Sequence, residues 1–467
     1  MVYMRGDPQC YDEWAADGNT GWAYNDVLKY FIKAENNTIP YLDHSPLRGK
    51  SGPITVSENT VSNPLGEAFL DAGKELHYKV KDLNGKGGEG FMKVQLTTRG
   101  GERCSTSKAY LKSIRNRSNL DISMNSRITK ILIDGGTKKA YGVRFIRDNV
   151  EHVVYAENEI VVSGGTFNSP QILMLSGVGP AKHLKELKIP VIADLPVGQN
   201  MRDHTGIFGV PFTISKPVNY DALNFDDHDV IDYAKHRLGK LSEASTQATA
   251  LVKSKYAKDN IPDMQVFLGP SNIFFNEAAA TTLGIKADFY ESVYAKLNVN
   301  KTISMIAYNV RPKSIGYVKL NTSNPLDAPL INPKYFSDPH DLDVAVEAVK
   351  LSLALAETKS FKKFGIKYPG FNYPGCENIK KNTDAYWGCV IRLQPGPFLH
   401  ATSTCKMGTD NNSVVNPRLL VHGVPGLRVI DASVMPRPTN ANAHIPTVMI
   451  AEKGSDLIKE DWGKVVE

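Results

Sequence analysis

The stretch Glu157-Asn-Glu-Ile-Val-Val-Ser-Gly-Gly-Thr-Phe-Asn-Ser-Pro-Gln-Ile-Leu-Met-Leu-Ser-Gly177 contains the clearest strand-to-helix unit of the sequence. Its apolar run predicts a buried strand that ends at the two glycines 164–165, with Asn168 or Ser169 as the cap of the following helix. Pro170 is expected in the first helical turn. Glycines at such a junction let a ligand approach the backbone beside free N–H groups of a helix N-terminus. Local features alone favour a tight turn without a ligand.

Length and composition place this unit in a globular chain of two or three domains, because 467 residues are 42% hydrophobic and 22% charged. The 55 basic and 49 acidic residues give a net charge of +6, and no block of Lys and Arg forms a basic stripe. We therefore expect no nucleic-acid partner. No run of eighteen apolar residues occurs, so we expect no membrane span.

Short β-patterned runs precede the opening stretch, at 120–124, 127–133, 140–146 and 152–155, and they predict a meander. Further β-patterned runs and a helix near 342–358 follow in the region 205–395. The end of the chain returns to a strand at 426–431 and a final helix from about Thr447 to Trp462. Its expected packing face consists of Val448, Ala451, Ser455, Ile458 and Trp462.

The five cysteines are too few for a disulfide scaffold, and no Cys or His cluster has zinc-site spacing, so no metal site is predicted. Cys376 and Cys389 lie in a loop rich in Gly, Pro and Tyr, where one bridge is open to them. Whether this bridge forms cannot be read from the sequence.

Several catalytic templates are missing, namely a Walker A loop, HExxH, the GxSxG elbow and an EF-hand loop. One GxGxxG match occurs at Gly85–Gly90, but no apolar strand leads into it and no crossover helix follows. We interpret it as a loop.

Two histidines near the C-terminus lie in or before predicted turns and not in the middle of an apolar face. They are His400 in His-Ala-Thr-Ser-Thr-Cys-Lys-Met-Gly408 and His444 in Asn440-Ala-Asn-Ala-His-Ile-Pro-Thr. A lone histidine is more often structural, yet imidazole is also the commonest general acid or base near neutral pH. His444 stands two residues before Pro446, which is expected to open the last helix. The positive end of that helix would stabilise developing negative charge beside it.

The sequence resembles the glucose-methanol-choline (GMC) family of FAD-dependent oxidoreductases, in its insect glucose-dehydrogenase-like branch, over essentially its whole length. The resemblance is carried by Met1-Val-Tyr-Met-Arg-Gly-Asp-Pro, Thr98-Arg-Gly, Gly165–Gly179, Leu195-Pro-Val-Gly-Gln-Asn-Met-Arg-Asp-His204, Arg311–Leu320 and His400–Trp462.

The resemblance implies an α/β fold, in which an incomplete Rossmann-like FAD-binding domain joins a substrate domain of mostly antiparallel sheet with helices. The expected division is 1–204 for the FAD-binding domain, 205–395 for the substrate domain, and 396–467 for a return to the FAD-binding domain. In such enzymes a base takes the hydroxyl proton of an alcohol while hydride passes to flavin N5.

Carried over to this chain, the resemblance implies His400 as the general base and His444 as its hydrogen-bonding partner, although either could hold the proton. It also implies FAD contacts at Met1, Val2, Ile128, Gly164, Gly165, Asp431, Ala432 and Ile445.

The family's leading GxGxxG segment, which cradles the ADP part of FAD, is not found in this sequence. We therefore expect the chain as written to bind FAD poorly, and we expect any signal peptide of a secreted enzyme to lie upstream. The expected partners are an alcohol or sugar and a quinone-type acceptor or oxygen. The alternative is a non-catalytic family member that binds a small ligand or a partner without flavin. Substrate identity and oligomeric state cannot be read from the sequence.

Overall fold

The computed structural model describes residues 1–59, 63–216, 226–242, 244, 246–269, 277–298 and 301–464. Its α-helices are α1 (Pro8–Ala16), α2 (Tyr24–Ala34), α3 (Pro64–Glu75), α4 (Lys112–Ile114), α5 (Gly165–Leu175), α6 (Ala181–Glu186), α7 (Asp227–His236), α8 (Glu277–Thr282), α9 (Ala287–Phe289), α10 (Pro339–Ala356), α11 (Lys359–Lys362), α12 (Asp384–Leu393) and α13 (His444–Asp461).

The strands are β1 (Glu35–Asn37), β2 (Ile54–Glu58), β3 (Gly90–Lys93), β4 (Gln95–Leu96), β5 (Thr98–Arg99), β6 (Glu102–Arg103), β7 (Arg127–Ile133), β8 (Ala140–Arg147), β9 (Val150–Tyr155), β10 (Ile160–Val162), β11 (Thr205–Thr213), β12 (Ala248–Val252), β13 (Met264–Gly269), β14 (Thr302–Asn309), β15 (Tyr317–Lys319), β16 (Leu330–Asn332), β17 (Gly396–Pro397) and β18 (Leu427–Val429).

The fold is α/β, as expected, and most of its buried apolar residues in the described ranges belong to two large hydrophobic cores. One core covers the six-stranded antiparallel sheet of order β17-β11-β14-β13-β12-β3, against which α10 packs. The other includes Ile131 of β7, Ala140 of β8, the last turn of α5 and the parallel pair of β10 and β18, whereas β9 is exposed along its length. Because β10 and β18 are parallel, with Val162 opposite Val429, their carboxyl ends lie at the same edge. That edge is where open α/β sheets bind ligands.

The predicted start of α5 is wrong. The helix begins at Gly165, so Pro170 lies in its interior rather than in its first turn. Gly164 is the N-cap, although the Ser169 hydroxyl does accept the Gly164 N–H at 2.9 Å. Proline has no N–H for the Thr166 carbonyl four residues earlier, and the Thr404 hydroxyl donates to that carbonyl at 2.7 Å instead.

The strand predicted at 120–124 does not form. Ile122 and Met124 are exposed there, and the segment has no partner strand, without which its backbone cannot form a ladder. The other three runs form β7, β8 and β9, which confirms the meander. The GxGxxG match at 85–90 is a loop up to Gly90, as predicted.

The predicted packing face of the last helix is correct only in part. Val448 is buried and Ile458 is partly buried against a hydrophobic core. Ala451, Ser455 and Trp462 are exposed, whereas Met449, Gly454 and a run of other residues on the opposite side are buried. Gly454 allows this close contact, because a Cβ there would lie 2.8 Å from the Ile430 side chain.

The expected domain division stays a prediction. Two elements from the first segment, α3 and β3, pack in the core of the six-stranded sheet, whose other strands come from residues after 204. The sheet is therefore assembled from both sides of the expected boundary at residue 204.

Cys376 and Cys389 form a disulfide, which joins the loop before α12 to that helix. Within the described ranges, no helix is long and apolar enough to cross a bilayer.

Candidate active site

The pairing of β11 with β17 brings His204 and His400 together. Thr205 lies opposite Pro397 in this antiparallel pair, and the ladder resumes where Arg202 pairs with Thr402. Between these two pairs one strand advances by three residues and the other, which carries His400, advances by five. The segment around His400 therefore forms a bulge. Leu399 has a φ of 59° in this bulge, a left-handed conformation that is rare for a branched residue.

His400 uses both of its ring nitrogens. Its Nδ1 lies 3.0 Å from Nδ1 of His204, and its Nε2 lies 3.1 Å from Nδ2 of Asn442. Burial, and then the neighbouring His204, hold the pKa of His400 well below its usual value. The imidazole is therefore neutral at pH 7, the protonation state that a general base needs.

Asp203 anchors the backbone beside this pair. Its carboxylate accepts the His400 N–H at 2.9 Å and the Tyr335 hydroxyl at 2.5 Å. Burial raises the pKa of Asp203 to about 6, even though both donors oppose that shift.

His444 is the first residue of α13. The N–H groups of His444 and Ile445 have no hydrogen-bond partner among the described residues, as is usual for the first turn of a helix. Burial lowers the pKa of the His444 imidazole. The expected hydrogen bond from His444 to His400 is not formed, because His204 and Asn442 occupy both ring nitrogens of His400.

His400 and His444 line one cavity of about 730 Å³. Its wall is mostly apolar, and its lining residues are Met1, Val2, Thr166, Phe167, Met201, Asp203, Ile331, Pro333, Tyr335, Pro397, Leu399, His400, Ala401, Ala432, Asn442, Ala443, His444 and Thr447.

The structure brings most of the sequence-predicted site residues to this cavity or its edge. Met1, Val2 and Ala432 line it together with the two histidines. Ile445 is buried directly beside His444. Ile128 lies outside the lining, on β7, a strand that packs against α5.

The predicted glycines and Asp431 form the junction behind the cavity. Oδ2 of Asp431 accepts the Gly165 N–H at 2.9 Å and the Ser169 hydroxyl at 2.6 Å. This carboxylate thereby joins the start of α5 to the segment that follows β18. Gly164 is the N-cap of α5.

Three features of the cavity and of the junction behind it fit a flavin. Gly165 has a φ of 79°, and no other atom lies within 4 Å of where its side chain would be, so a ligand has room beside the backbone. The free N–H groups of α13 suit an electron-rich ring edge. The buried Oδ1 of Asn442 has no hydrogen-bond partner in the described part of the chain. Ala432, Ala443 and the first turns of α5 and α13 would hold the ring system.

Sequence reasoning missed four residues of the site: His204, Asp203, Tyr335 and Asn442. A signal existed for three of them, because Asp203-His204 closes one family-like stretch and Asn442 lies within another. Tyr335 carries no such signal. Only the fold brings it to Asp203.

Comparison with known proteins agrees with this geometry. The family profile described as GMC oxidoreductase matches residues 1–206 with its N-terminal part and residues 312–451 with its C-terminal part. The chain is 37% identical to glucose dehydrogenase [FAD, quinone] of Drosophila melanogaster, over 100% of this chain and 73% of that protein. It is 35% identical to ecdysone oxidase of Bombyx mori, over 99% of this chain and 68% of that protein.

Among solved structures, an FAD-dependent oxidoreductase from Chaetomium thermophilum superposes with a TM-score of 0.84 at 28% identity, covering 100% of this chain and 85% of that one. The site and fold thus define a flavin-dependent oxidoreductase, with FAD as its cofactor. The chain belongs to the GMC oxidoreductase family, whose members in this comparison are enzymes.

Proposed function

We propose that this enzyme oxidises the CH–OH group of a small-molecule alcohol, with His400 as the general base. FAD supplies the hydride acceptor in this chemistry. The observation that carries the proposal is that His400 and His444, both neutral at pH 7, line the same largely apolar cavity at the N-terminus of α13.

The arrangement supports distinct roles for the two histidines. His400 is held on two sides, by His204 and Asn442, so its ring orientation is fixed before substrate arrives. Neither ring nitrogen of His444 has a hydrogen-bond partner among the described residues, so His444 is available to contact the substrate oxygen. The positive end of α13 favours negative charge developing there.

The wall of the cavity favours an alcohol with a mainly apolar body over a sugar. Phe167, Met201, Ile331, Pro333 and Leu399 offer no polar partner, and buried sugar hydroxyls without partners cost free energy. The names of the fly relatives, glucose dehydrogenase [FAD, quinone], support a quinone-type acceptor over oxygen.

The disulfide between Cys376 and Cys389 supports residence in an oxidising compartment, in line with the expected secretion. Intact protein from its native source should gain no mass at these two positions on thiol alkylation before reduction. Alkylation of both thiols without reduction would contradict this.

The test of the catalytic proposal is His400→Ala in the FAD-loaded enzyme, assayed with apolar alcohols and with glucose, using a quinone as acceptor. We expect turnover to fall by about 10²- to 10⁴-fold, the usual contribution of a general base, with the bound flavin spectrum retained. An apolar alcohol should give the higher kcat/KM.

The matched control is His228→Ala, which removes an exposed histidine on α7 and should leave turnover unchanged. Unchanged turnover in His400→Ala would remove that residue from the mechanism. Ligand binding by a chain that never reduces flavin would favour the non-catalytic alternative.

A further inference from the structure

His204 is a fully buried histidine whose two ring nitrogens each have a close polar partner, and the Val310 backbone lies near the ring as well. Its Nε2 lies 3.0 Å from the Thr439 carbonyl oxygen, and its Nδ1 lies 3.0 Å from Nδ1 of His400. The two imidazole rings meet edge to face, at an interplanar angle of 83°. His204 itself does not line the cavity, so it reaches the site only through His400.

These contacts determine where the protons lie. A carbonyl oxygen only accepts, so Nε2 of His204 must carry the hydrogen. Burial lowers the pKa of His204 to about 4, so the ring is neutral at pH 7 and its Nδ1 is an acceptor. Nδ1 of His400 must then donate to it.

The tautomer of His400 determines which of its atoms faces the cavity as an acceptor. Neutral His400 with its proton on Nδ1 has a lone pair on Nε2, which faces the Asn442 amide. Nδ2 of Asn442 is the donor to that lone pair, which agrees with the amide oxygen being the atom left without a partner. One directed chain therefore runs from Asn442 through both histidines to Thr439.

We propose that His204 is a positioning residue that fixes His400 in the tautomer with an unprotonated Nε2 at the cavity. The inference rests on the proposed role of His400 as the base. The buried carbonyl of Thr439 fixes the first tautomer, and each ring passes the constraint to the next. Asp203, Tyr308, Asn442 and the Val310 backbone also face this pair.

The tautomer has a chemical consequence. The O–H bond of the alcohol breaks and its proton moves to Nε2 of His400, while the carbinol C–H bond breaks and its electron pair leaves as hydride to the oxidised flavin. Nε2 has one lone pair, so the substrate hydroxyl must take the place of the Asn442 N–H on it. The resulting imidazolium keeps its Nδ1–H bond to His204.

The first test observes the tautomer directly, by ¹⁵N NMR of the full chain labelled in its histidine rings, at pH 7. We expect His400 to show a protonated Nδ1 and an unprotonated, pyridine-like Nε2, assigned by the loss of those signals in His400→Gln. A protonated Nε2 on His400 would overturn the proposal. This readout needs neither flavin nor turnover, so it is independent of the proposed function.

The second test compares two substitutions of nearly equal shape. His204→Asn keeps an acceptor oxygen near the position of Nδ1, whereas His204→Leu removes it. In the FAD-loaded enzyme we expect His204→Leu to lower kcat by about 10- to 100-fold, part of the contribution of a correctly protonated base. His204→Asn should recover most of that loss.

Flavin content and melting temperature of both variants identify any failure to fold. A purely space-filling role for His204 predicts equal losses in the two variants, and that result would contradict the proposal. The NMR signals of His400 should also follow activity, with a mixture of tautomers in His204→Leu and a single one in His204→Asn.

Discussion

At the scale of single residues, Asp203 and the two imidazoles respond to pH in opposite directions. Burial raises the pKa of Asp203 from 3.8 to about 6, so the native state keeps a proton that the unfolded chain loses. This stabilises the fold most below pH 4, and the contribution is lost as pH rises through 6. Burial lowers the pKa of His204, so its contribution is present above pH 6.5 and is lost as pH falls towards 4.

Asp203→Asn should isolate the first of these effects. As the pH falls from 7 to 4, the free energy of unfolding of the parent should increase by about 2 kcal/mol relative to that of this variant. Urea unfolding at a series of pH values measures it. Tyr335→Phe should move the window to higher pH, because the lost hydroxyl lowers the pKa of Asp203. A difference that stays constant with pH would show that the Asp203 carboxyl is not perturbed.

At the scale of elements, α5 depends on a hydroxyl supplied by a distant segment. Pro170 leaves the Thr166 carbonyl without its helical N–H, and Thr404, which is fully buried, donates to that carbonyl. Thr166 in turn donates its own hydroxyl to the Ala401 carbonyl at 2.7 Å. The first turn of the helix behind the cavity is thus tied to the segment that carries His400.

A double-mutant cycle tests this compensation. Thr404→Val should cost about 1 to 3 kcal/mol, because it leaves a buried carbonyl unsatisfied. In the Pro170→Ala background a restored N–H serves the same carbonyl, so the cost should shrink by about 1 kcal/mol. Urea unfolding of the four proteins gives the coupling. Equal costs of Thr404→Val in both backgrounds would show that Pro170 and Thr404 are not linked.

The same helix shows what sequence could and could not predict. Local patterns predicted the β7-β8-β9 meander and the existence of the unit from β10 to α5, because periodicity and glycines act within a few residues. The start of α5 was predicted late because Pro170 is tolerated inside it only through Thr404, 234 positions away in the chain. The packing face of α13 was predicted only in part for a similar reason, since the contacts of this helix come from distant segments.

The candidate site likewise combines residues that the local sequence indicated with residues that only the fold brings together. His400 and His444 were predicted from their sequence surroundings and the family resemblance, and both line one cavity. The partner of His400 was wrong, because His204 comes beside it only through the ladder between β11 and β17. A ladder between residues almost 200 positions apart has no local signature.

At the scale of the whole molecule, one buried side chain joins three distant parts of the chain. Oδ1 of Asn440 accepts the Asp7 N–H at 2.8 Å, and its Nδ2 donates to the Pro262 carbonyl at 3.0 Å. The preceding residue, Thr439, supplies the carbonyl that orients His204. The turn formed by Thr439 and Asn440 therefore both joins these segments and contacts the histidine that we propose to orient His400.

Asn440→Ala should therefore destabilise the entire fold. It leaves a buried N–H and a buried C=O without partners, each worth about 1 to 3 kcal/mol, so we expect a loss of about 2 to 4 kcal/mol in urea unfolding. Asn440→Asp, although equal in shape, should be no better, because it cannot donate to Pro262 and places a second carboxylate beside Asp7. The control is Asn412→Ala, an exposed residue bonded to Asn200, which should stay within about 0.5 kcal/mol. A tolerated Asn440→Asp would mean that Asn440 fills space rather than joining the three segments.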